Sequence, residues 1–417
     1  MKSVAIIGAG TIGLHCAYYL HRSGHQVSII ESLPENSTES CSFGNCGFIV
    51  PSHFISVASP AILKSGLKLI FNSKSPVALS LVKNRNQLPW FLQFIQMAKT
   101  AKVNRSAPLL YQLNAESLKL YAEINQQYQT GNEFGSNGLL MVTQTDKKMD
   151  EEIRQARIAT YLGIKTTILS PEALNRLEPQ AKFQVKGAVY YHSDGHIHPA
   201  KHVSWLRHYL KQQGVQFHYN QPISRIDHSK GRITKLETDN DKFEADEFIL
   251  AAGVFSRHLA REISVNCPVI SGKGYSFDFP YGYGPLKTPV ILTEAMVALA
   301  PFENGLRLGS GMEFNARPGH PDWKRIQSML DKTHEAIGTF PILEARRLKV
   351  WEGMRPVTPD GVPLIGRTRC YRNLLIATGH AMMGSSLAPI TGKLITALIN
   401  REKTIVKMEQ LHPDRFN

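Results

Sequence analysis

The stretch Val4–Glu31, VAIIGAGTIGLHCAYYLHRSGHQVSIIE, decides the fold of this chain. Its first apolar run, 4–7, predicts a buried strand that enters a glycine-rich turn. The residues after the turn have the apolar spacing of a helix. A second apolar run, 27–30, predicts a parallel strand that ends in Glu31. This order of strand, turn, helix and acidic strand end is typical of a dinucleotide-binding βαβ unit.

The three glycines of this turn have separate physical roles. Gly8 permits the tight turn, Gly10 lets a pyrophosphate approach the backbone, and Gly13 lets the helix pack close to the strand. The helix N-terminus offers free N–H groups and a positive dipole end to phosphate. Glu31 can accept hydrogen bonds from both ribose hydroxyls, and its charge disfavours a 2′-phosphate. We therefore predict a bound ADP moiety; the alternative is a glycine-rich loop that opens an ordinary α/β domain.

Composition excludes several classes of function. The chain has 417 residues, too many for one simple core, so we predict two domains. No apolar run approaches the ~18 residues needed to span a bilayer. The five cysteines are scattered, which favours a reducing cytoplasm. The net charge of +14 attracts polyanions, but no zinc-finger spacing, RNP motif or long basic run is present, so we predict no nucleic-acid partner and no metal site.

A basic amphipathic segment, 61–105, has two interpretations. Apolar stretches alternate there with cations, and the last part places aromatic and aliphatic residues before a basic cluster: Trp90, Phe91, Phe94, Ile95, Lys99, Lys102 and Arg105. Such a mixture is typical of an interfacial membrane segment. It would put the protein in the cytoplasm, peripherally on the cytoplasmic face of the inner membrane. The alternative is an amphipathic helix packed on its own domain.

The order of elements predicts an α/β class (α+β overall), with a Rossmann-type nucleotide domain interleaved with a mixed-sheet substrate domain. Strand–turn–helix signals occur at the start, middle and end of the chain, with sheet-rich and helical segments between them. We predict a discontinuous nucleotide domain over 1–60, 187–262 and 345–417, and a substrate domain over 61–186 and 263–344. The ligand cleft is expected between them, at the carboxyl ends of the parallel strands.

Three later segments indicate which dinucleotide is bound. They are Ser42–Gly47 (SFGNCG), Phe248–Gly253 (FILAAG) and Asn373–Ser386 (NLLIATGHAMMGSS), and each carries small residues where backbone could lie against a cofactor. A flavin needs wrapping by several segments because its ring is held throughout turnover. N–H groups at a helix start near Gly384 could stabilise the negative charge of a reduced flavin. We therefore predict FAD, which makes the Rossmann-type domain an FAD-binding domain.

The residues predicted to contact FAD lie mainly in these segments and in the amino-terminal turn. They are Gly8, Gly10, Thr11, Ile12, Gly13, Glu31, Ser42, Asn45, Gly47, Ile223, Ala252, Gly253, Gly353, Gly379, His380, Met383, Gly384 and Ser385. The amide of Asn45 could reach the pyrophosphate or the flavin edge; the alternative for its segment is a plain turn. We expect His380 to shape the flavin turn rather than to transfer a proton.

The segment Trp351–Gly366, WEGMRPVTPDGVPLIG, carries the substrate prediction. Arg355 lies among glycines and prolines, which predicts a rigid irregular loop. A guanidinium held on such a loop is suited to bidentate capture of a carboxylate. The alternative is a structural salt bridge to Asp360 or Glu352.

Several motifs together resemble the D-amino-acid dehydrogenase branch of the glycine/D-amino-acid oxidase flavoproteins, and most closely its group of D-amino-acid dehydrogenases and D-hydroxyproline dehydrogenases. They are GAGTIG with Glu31, SFGNCGFIVPSH, LAAGVFS, GKGYSFDFP, WEGMRPVTPDGVPLIG and NLLIATGHAMMGSS, and the resemblance runs from Val4 to about Asn400. This chain departs from the family pattern at Cys46, where relatives carry alanine, and in the pair Ala251–Ala252.

The resemblance implies an FAD-dependent dehydrogenase that moves a hydride from Cα of a D-amino acid or cyclic imino acid, such as D-hydroxyproline, to flavin N5. Arg355 would bind the substrate carboxylate, Tyr275 would donate its hydroxyl to the same group, and His53 would line the pocket. Electrons would pass to a quinone or partner acceptor. The alternatives are a glycine or sarcosine-type oxidase that uses O2, and a non-catalytic flavin-bound electron-transfer or assembly protein.

Overall fold

The computed structural model describes residues 1–60, 63, 77–79, 87–280, 286–314 and 318–417. The helices of these residues are α1 (Thr11–Arg22), α2 (Leu88–Met97), α3 (Thr100–Gln127), α4 (Asp146–Tyr161), α5 (Pro171–Leu177), α6 (Pro199–Gln212), α7 (Ser256–Glu262), α8 (Trp323–Ala336) and α9 (Gly384–Asn400). The strands are β1 (Ser3–Ile7), β2 (Gln26–Ile30), β3 (Phe48–Ile49), β4 (Val77–Leu79), β5 (Leu139–Thr143), β6 (Thr166–Leu169), β7 (Gly187–Tyr191), β8 (Gly195–His196), β9 (Gln216–His218), β10 (Arg225–Ser229), β11 (Arg232–Glu237), β12 (Lys242–Phe243), β13 (Glu247–Leu250), β14 (Ile270–Pro280), β15 (Val290–Leu292), β16 (Val297–Phe302), β17 (Gly305–Phe314), β18 (Trp351–Val357), β19 (Leu364–Arg367) and β20 (Leu374–Thr378).

The first sheet carries the predicted βαβ unit. Its described strands run in the order β19-β20-β13-β1-β2-β9, and all neighbours are parallel except β19 and β20. Residues 4–7 of β1 are buried on both faces, as expected of a central parallel strand between layers of helix. Helices α1 and α9 pack together on one face, where Leu14, Ala17, Leu387 and Leu394 share one apolar cluster. The strand, turn and helix predicted from the opening stretch are confirmed.

The second sheet is mixed and larger. Its described strands run β18-β14-β17-β16-β15-β5-β7-β6, with β4 parallel to β17. Helix α8 covers one face through Ile326, Met329 and Leu330, which pack with Phe277 of β14. The mixed α/β fold class is therefore confirmed.

Sheet membership differs from the predicted domain segments at two places. Strands β7 and β18 fall in segments predicted for the nucleotide domain, yet both pair within the larger sheet. The domain boundaries remain a prediction, which this pairing would revise at 187–191 and 351–357. Residues 216–218 supply β9 to the parallel sheet, while β10, β11 and β12 form a separate antiparallel meander.

The segment 42–58 connects the two sheets and passes every part of the candidate site. Ser42 lies at the start of α1, and the N–H of Val50 donates to Ser386 Oγ in the first turn of α9 (3.0 Å). Val57 and Ala58 then pack with Val357 of β18. The carboxyl ends of the parallel strands, the start of α9 and the edge of the larger sheet are thereby held next to one chain segment.

Candidate active site

The turn between β1 and α1 is built around close backbone packing. Gly8 adopts a φ of +109°, which favours glycine. A Cβ on Gly13 would overlap the carbonyl oxygen of Gly8, so helix and turn can approach only because the side chain is absent. At the start of α1 the N–H of Thr11 donates to Ser42 Oγ (2.9 Å), and a Cβ on Gly10 would lie 3.3 Å from that oxygen. Ser42, Gly10 and Thr11 thus form one surface beside the helix N-terminus, with Ile12 following in the same turn of α1.

Glu31 closes the other side of this turn. Its carboxylate accepts hydrogen bonds from the N–H groups of Ala9 (2.7 Å) and Leu33 (3.0 Å). Arg207 of α6 donates to the carbonyl of Ala9 (3.2 Å), and the buried hydroxyl of Tyr219 has no partner among the described residues. No local sequence signal indicates Arg207. Tyr219 directly follows β9, so a correct placement of 216–218 next to β2 would indicate its position.

Asn45 acts within the protein, which corrects the prediction that its amide faces the cofactor. Its Nδ2 donates to the carbonyls of Cys41 and Ser42, and its Oδ1 accepts from Gly47 N (2.8 Å) and Ser385 Oγ (2.9 Å). Both ends of the amide are therefore used to fix the 42–47 loop against the start of α9.

The turn before α9 leaves polar groups and space unfilled. Gly379 has a φ of +79°, Met383 at the N-cap position of α9 makes no side-chain hydrogen bond to the helix, and a Cβ on Gly384 would meet nothing within 4 Å. Thr391 donates its hydroxyl to Leu387 O, so His380 Nε2–H donates to Thr391 Oγ1 (3.0 Å). Nδ1 of His380 is then a buried acceptor without a partner among the described residues. Burial lowers the pKa of His380 to about 3, which keeps the ring neutral.

The remaining predicted cofactor residues lie at separate places in the fold. Ala252 Cα would lie 3.2 Å from a Cβ on Gly8, and Gly253 opens a short 3-10 helix with free space beside it. Gly353 lies in β18, where the indole of Trp351 occupies the place of a Cβ, and Ile223 packs partly buried beside the first sheet. Three features fit the parts of FAD. Nδ1 of His380 can accept a hydrogen bond, the N-terminus of α9 has no side-chain cap, and the carboxylate of Glu31 can bind ribose hydroxyls.

Arg355 lies in β18 rather than in the predicted irregular loop. Pro356 is accommodated because β18 is the edge strand, so a missing N–H there costs no ladder hydrogen bond. Gly274 on β14 provides the space for the guanidinium, which a Cβ there would overlap, and Nη1 donates to Gly311 O.

The guanidinium of Arg355 lacks an ion-pair partner among the described residues. Burial lowers its pKa, and the titratable groups beside it are the thiols of Cys41 and Cys46, whose own pKa values burial raises to about 11, so they are neutral. The two alternative partners are engaged elsewhere: Asp360 pairs with Arg415 (2.8 Å), and Glu352 accepts from Gly319 N (2.8 Å). A half-buried guanidinium that keeps its charge and has free donors can bind a carboxylate.

Tyr275 is directed away from this guanidinium, which corrects its predicted role. Its hydroxyl donates to Glu313 Oε1 (2.6 Å) and accepts from Asp322 N (3.0 Å), and only 1% of the residue is exposed. Side chains alternate along a strand, so Gly274 and Tyr275 of β14 face opposite sides. His53, by contrast, is half-buried on the 42–58 segment that passes the start of α9.

Comparisons with known proteins identify the family of this chain. A family model described as FAD dependent oxidoreductase matches residues 3–398. The D-amino acid dehydrogenase of Neisseria meningitidis is 27% identical over 418 residues, covering 99% of each chain, and that of Helicobacter pylori is 28% identical over 402 residues, covering 95% of this chain and 94% of the relative.

Solved structures show the same fold. Glycine oxidase from Geobacillus kaustophilus superposes with a TM-score of 0.72 at 20% identity, covering 99% of this chain and 98% of the other. L-proline dehydrogenase from P. horikoshii superposes with a TM-score of 0.73 at 18% identity, covering 100% and 97%. The family match extends over nearly the whole chain, and the residues of the turn, the ribose carboxylate and the α9 start fit the cofactor. This chain therefore belongs to the FAD dependent oxidoreductase family, and its cofactor is FAD.

Proposed function

We propose that this protein oxidises a D-amino acid or a cyclic imino acid such as D-hydroxyproline, and passes the electrons to a quinone or partner acceptor. The single observation that carries the proposal is the guanidinium of Arg355, which lies over Gly274 and has no ion-pair partner in the part of the chain that the structure describes. The names of the curated relatives support the amino-acid substrate. An oxidase of glycine or sarcosine that uses O2 is the alternative within enzymes.

The residues of the site define what the protein contributes. Arg355 binds the carboxylate and, being fixed on a strand, sets the position of Cα. The N–H groups at the start of α9 favour negative charge beside them. FAD, when bound, supplies the acceptor for the hydride that leaves Cα; the protein's task is to orient the substrate and exclude water.

The test is an anaerobic titration of the yellow protein with D- and L-amino acids, both hydroxyproline epimers, glycine and sarcosine. We expect bleaching of the flavin absorbance by a D-amino or cyclic imino acid, and re-oxidation by a quinone analogue but not by air. Fast re-oxidation by air would favour the oxidase. A yellow protein that no member of the panel bleaches would leave the non-catalytic alternative in place.

We also propose that the surface around α2 contacts an anionic membrane, where a quinone would be dissolved. Leu88, Leu92 and Ile95 are 56%, 58% and 49% exposed and lie at helical spacing on one face of α2. The exposed cations Lys99, Lys102 and Arg105 follow directly. Most of the residues 61–86, which belong to the same amphipathic segment, lie outside the described residues. Among the described helices none is long and apolar enough to cross a bilayer.

Negative charges introduced on this face should release the protein from membranes. We expect the variant Leu88→Glu/Leu92→Glu to lose most of its co-sedimentation with phosphatidylglycerol vesicles at low salt, because apolar burial and attraction to the anionic surface are both weakened. Ile342→Glu is the matched control, since Ile342 is 81% exposed and lies outside α2. Equal sedimentation of wild type and variant, or none by the wild type, would contradict the membrane proposal.

A further inference from the structure

One hydroxyl, that of Ser52, connects His53 to a buried carboxylate. Asp194, in the turn between β7 and β8, is fully buried, and its two oxygens accept from Ser52 N (3.1 Å) and Ser52 Oγ (2.5 Å). Ser52 Oγ is also 3.2 Å from Nδ1 of His53. The three side chains therefore form a continuous chain of hydrogen bonds from the interior to the half-buried histidine.

The donors in this chain have one consistent arrangement. A hydroxyl has a single proton, and an ionised carboxylate can only accept, so Ser52 donates to Asp194. A lone pair of Ser52 Oγ then accepts Nδ1–H of His53. Nε2 of His53 is left without a proton, as a hydrogen-bond acceptor. This tautomer follows from the partner on the other nitrogen, as is usual for functional histidines.

The segment that carries His53 lies between the two halves of the active site. Three residues before it, Val50 is bonded to the first turn of α9, and four residues after it, Val57 packs on Val357 of the Arg355 strand. Burial lowers the pKa of His53 to about 4, so the ring is neutral. The 50–57 segment therefore places His53 between the start of α9 and the strand whose Arg355 would bind the substrate carboxylate.

We propose that Asp194, Ser52 and His53 form a proton relay that deprotonates the substrate ammonium before oxidation. The inference rests on the proposed function, because it requires an amino or imino acid in the site. One N–H proton passes to His53 Nε2 as Nδ1–H passes to Ser52 Oγ and the Ser52 hydroxyl proton passes to Asp194 Oδ2. The amine becomes neutral, its lone pair becomes available to support loss of hydride from Cα, and Asp194 ends as a neutral acid. His53 is the catalytic residue, and Ser52 and Asp194 are positioning residues.

The charge state of Asp194 sets the pH range of the relay. Burial raises the pKa of Asp194 to about 7, while the two hydrogen bonds from Ser52 oppose the shift. The other titratable groups near it are Tyr191 of β7 and, beyond that phenol, Glu152 of α4, whose pKa burial also raises to about 7. The relay needs the ionised carboxylate, so it accepts protons above this pKa and stops as the pH falls below it.

The test is the pH dependence of anaerobic flavin reduction, with the best substrate of the panel, in wild type, Asp194→Asn and Ser52→Ala. We expect the wild-type rate to rise with pH through a value near 7. Both variants should lose roughly tenfold or more at pH 7, with the rising limb displaced toward the pKa of the free substrate amine. Ser52→Thr keeps a hydroxyl and should restore the wild-type profile. Ser193→Ala, an exposed neighbour of Asp194, is the matched control.

A second readout does not depend on turnover. A carboxyl whose folded pKa is raised contributes stability below its unfolded pKa, and that contribution is lost as the pH rises through the folded value. The fall in Tm of the apoprotein between pH 5 and 8 should therefore be smaller in Asp194→Asn than in wild type. Unchanged reduction profiles in variants that remain yellow and are bleached would overturn the relay alone. A wild type that no amino acid bleaches would overturn the proposed function and the relay together.

Discussion

Replacing Arg355 by alanine should lower kcat/KM for the substrate by roughly 30-fold to several-thousand-fold while FAD stays bound. Truncation of one member of a half-buried, hydrogen-bonded charge pair costs about 2–5 kcal/mol, and each 1.4 kcal/mol is about a factor of ten. Part of the loss should appear in the rate of flavin reduction, because the guanidinium also positions Cα. The measurement is stopped-flow reduction under anaerobic conditions over a range of substrate concentrations.

Arg355→Lys separates charge from geometry. Lysine keeps the positive charge but not the planar pair of donors, so we expect an intermediate loss. Arg347→Ala is the control, since the side chain of Arg347 is 82% exposed and pairs with Glu344. The carboxamide analogue of the substrate should have a low kcat/KM with the wild-type protein. That kcat/KM should fall little further in Arg355→Ala. An equal loss for acid and amide in that variant would show that Arg355 acts on the fold and not on the carboxylate.

The fold could be predicted from the sequence where the pattern was local. Residues 4–31 contain a whole βαβ unit, so strand, turn and helix follow from apolar spacing and three glycines. The apolar residues of α2 and α3 likewise recur at local helical spacing. The pairing of short strands is harder to predict. Strand β9 has three residues, and its position beside β2 depends on contacts with residues that are distant in the sequence.

The sequence predicts which residue types form the site better than it predicts where their side chains point. Arg355 lies in a strand and not in the predicted loop, because pairing of β18 with β14 overrides the glycines and prolines of its sequence. Tyr275 failed as a carboxylate donor because one residue along a strand reverses the face. The contact of Ser52 with Asp194 joins residues 142 positions apart, and no local pattern indicates it.

The largest effect on the cofactor should come from Gly13→Val, which we expect to give a colourless protein. Any Cβ at this position would overlap the carbonyl oxygen of Gly8 and lie 3.4 Å from the side chain of Ile6. The helix must then move away from the strand, which displaces the N–H groups of the α1 start and the Ser42 surface from the pyrophosphate. Overpacking of this kind costs about 1–3 kcal/mol in the fold itself.

Loss of FAD adds to that cost through linkage. A ligand present at about 100 times its Kd stabilises the folded state by about 2.7 kcal/mol, so a protein that cannot bind FAD loses this contribution. The flavin-to-protein absorbance ratio measures the cofactor, and Tm with and without added FAD measures the linkage. Gly24→Asn is the matched control: Gly24 has a φ of +81°, which asparagine tolerates, and open space around its Cβ position. A yellow Gly13→Val protein, with a Tm that still rises on addition of FAD, would show that the turn binds the cofactor without the close approach of α1 to Gly8.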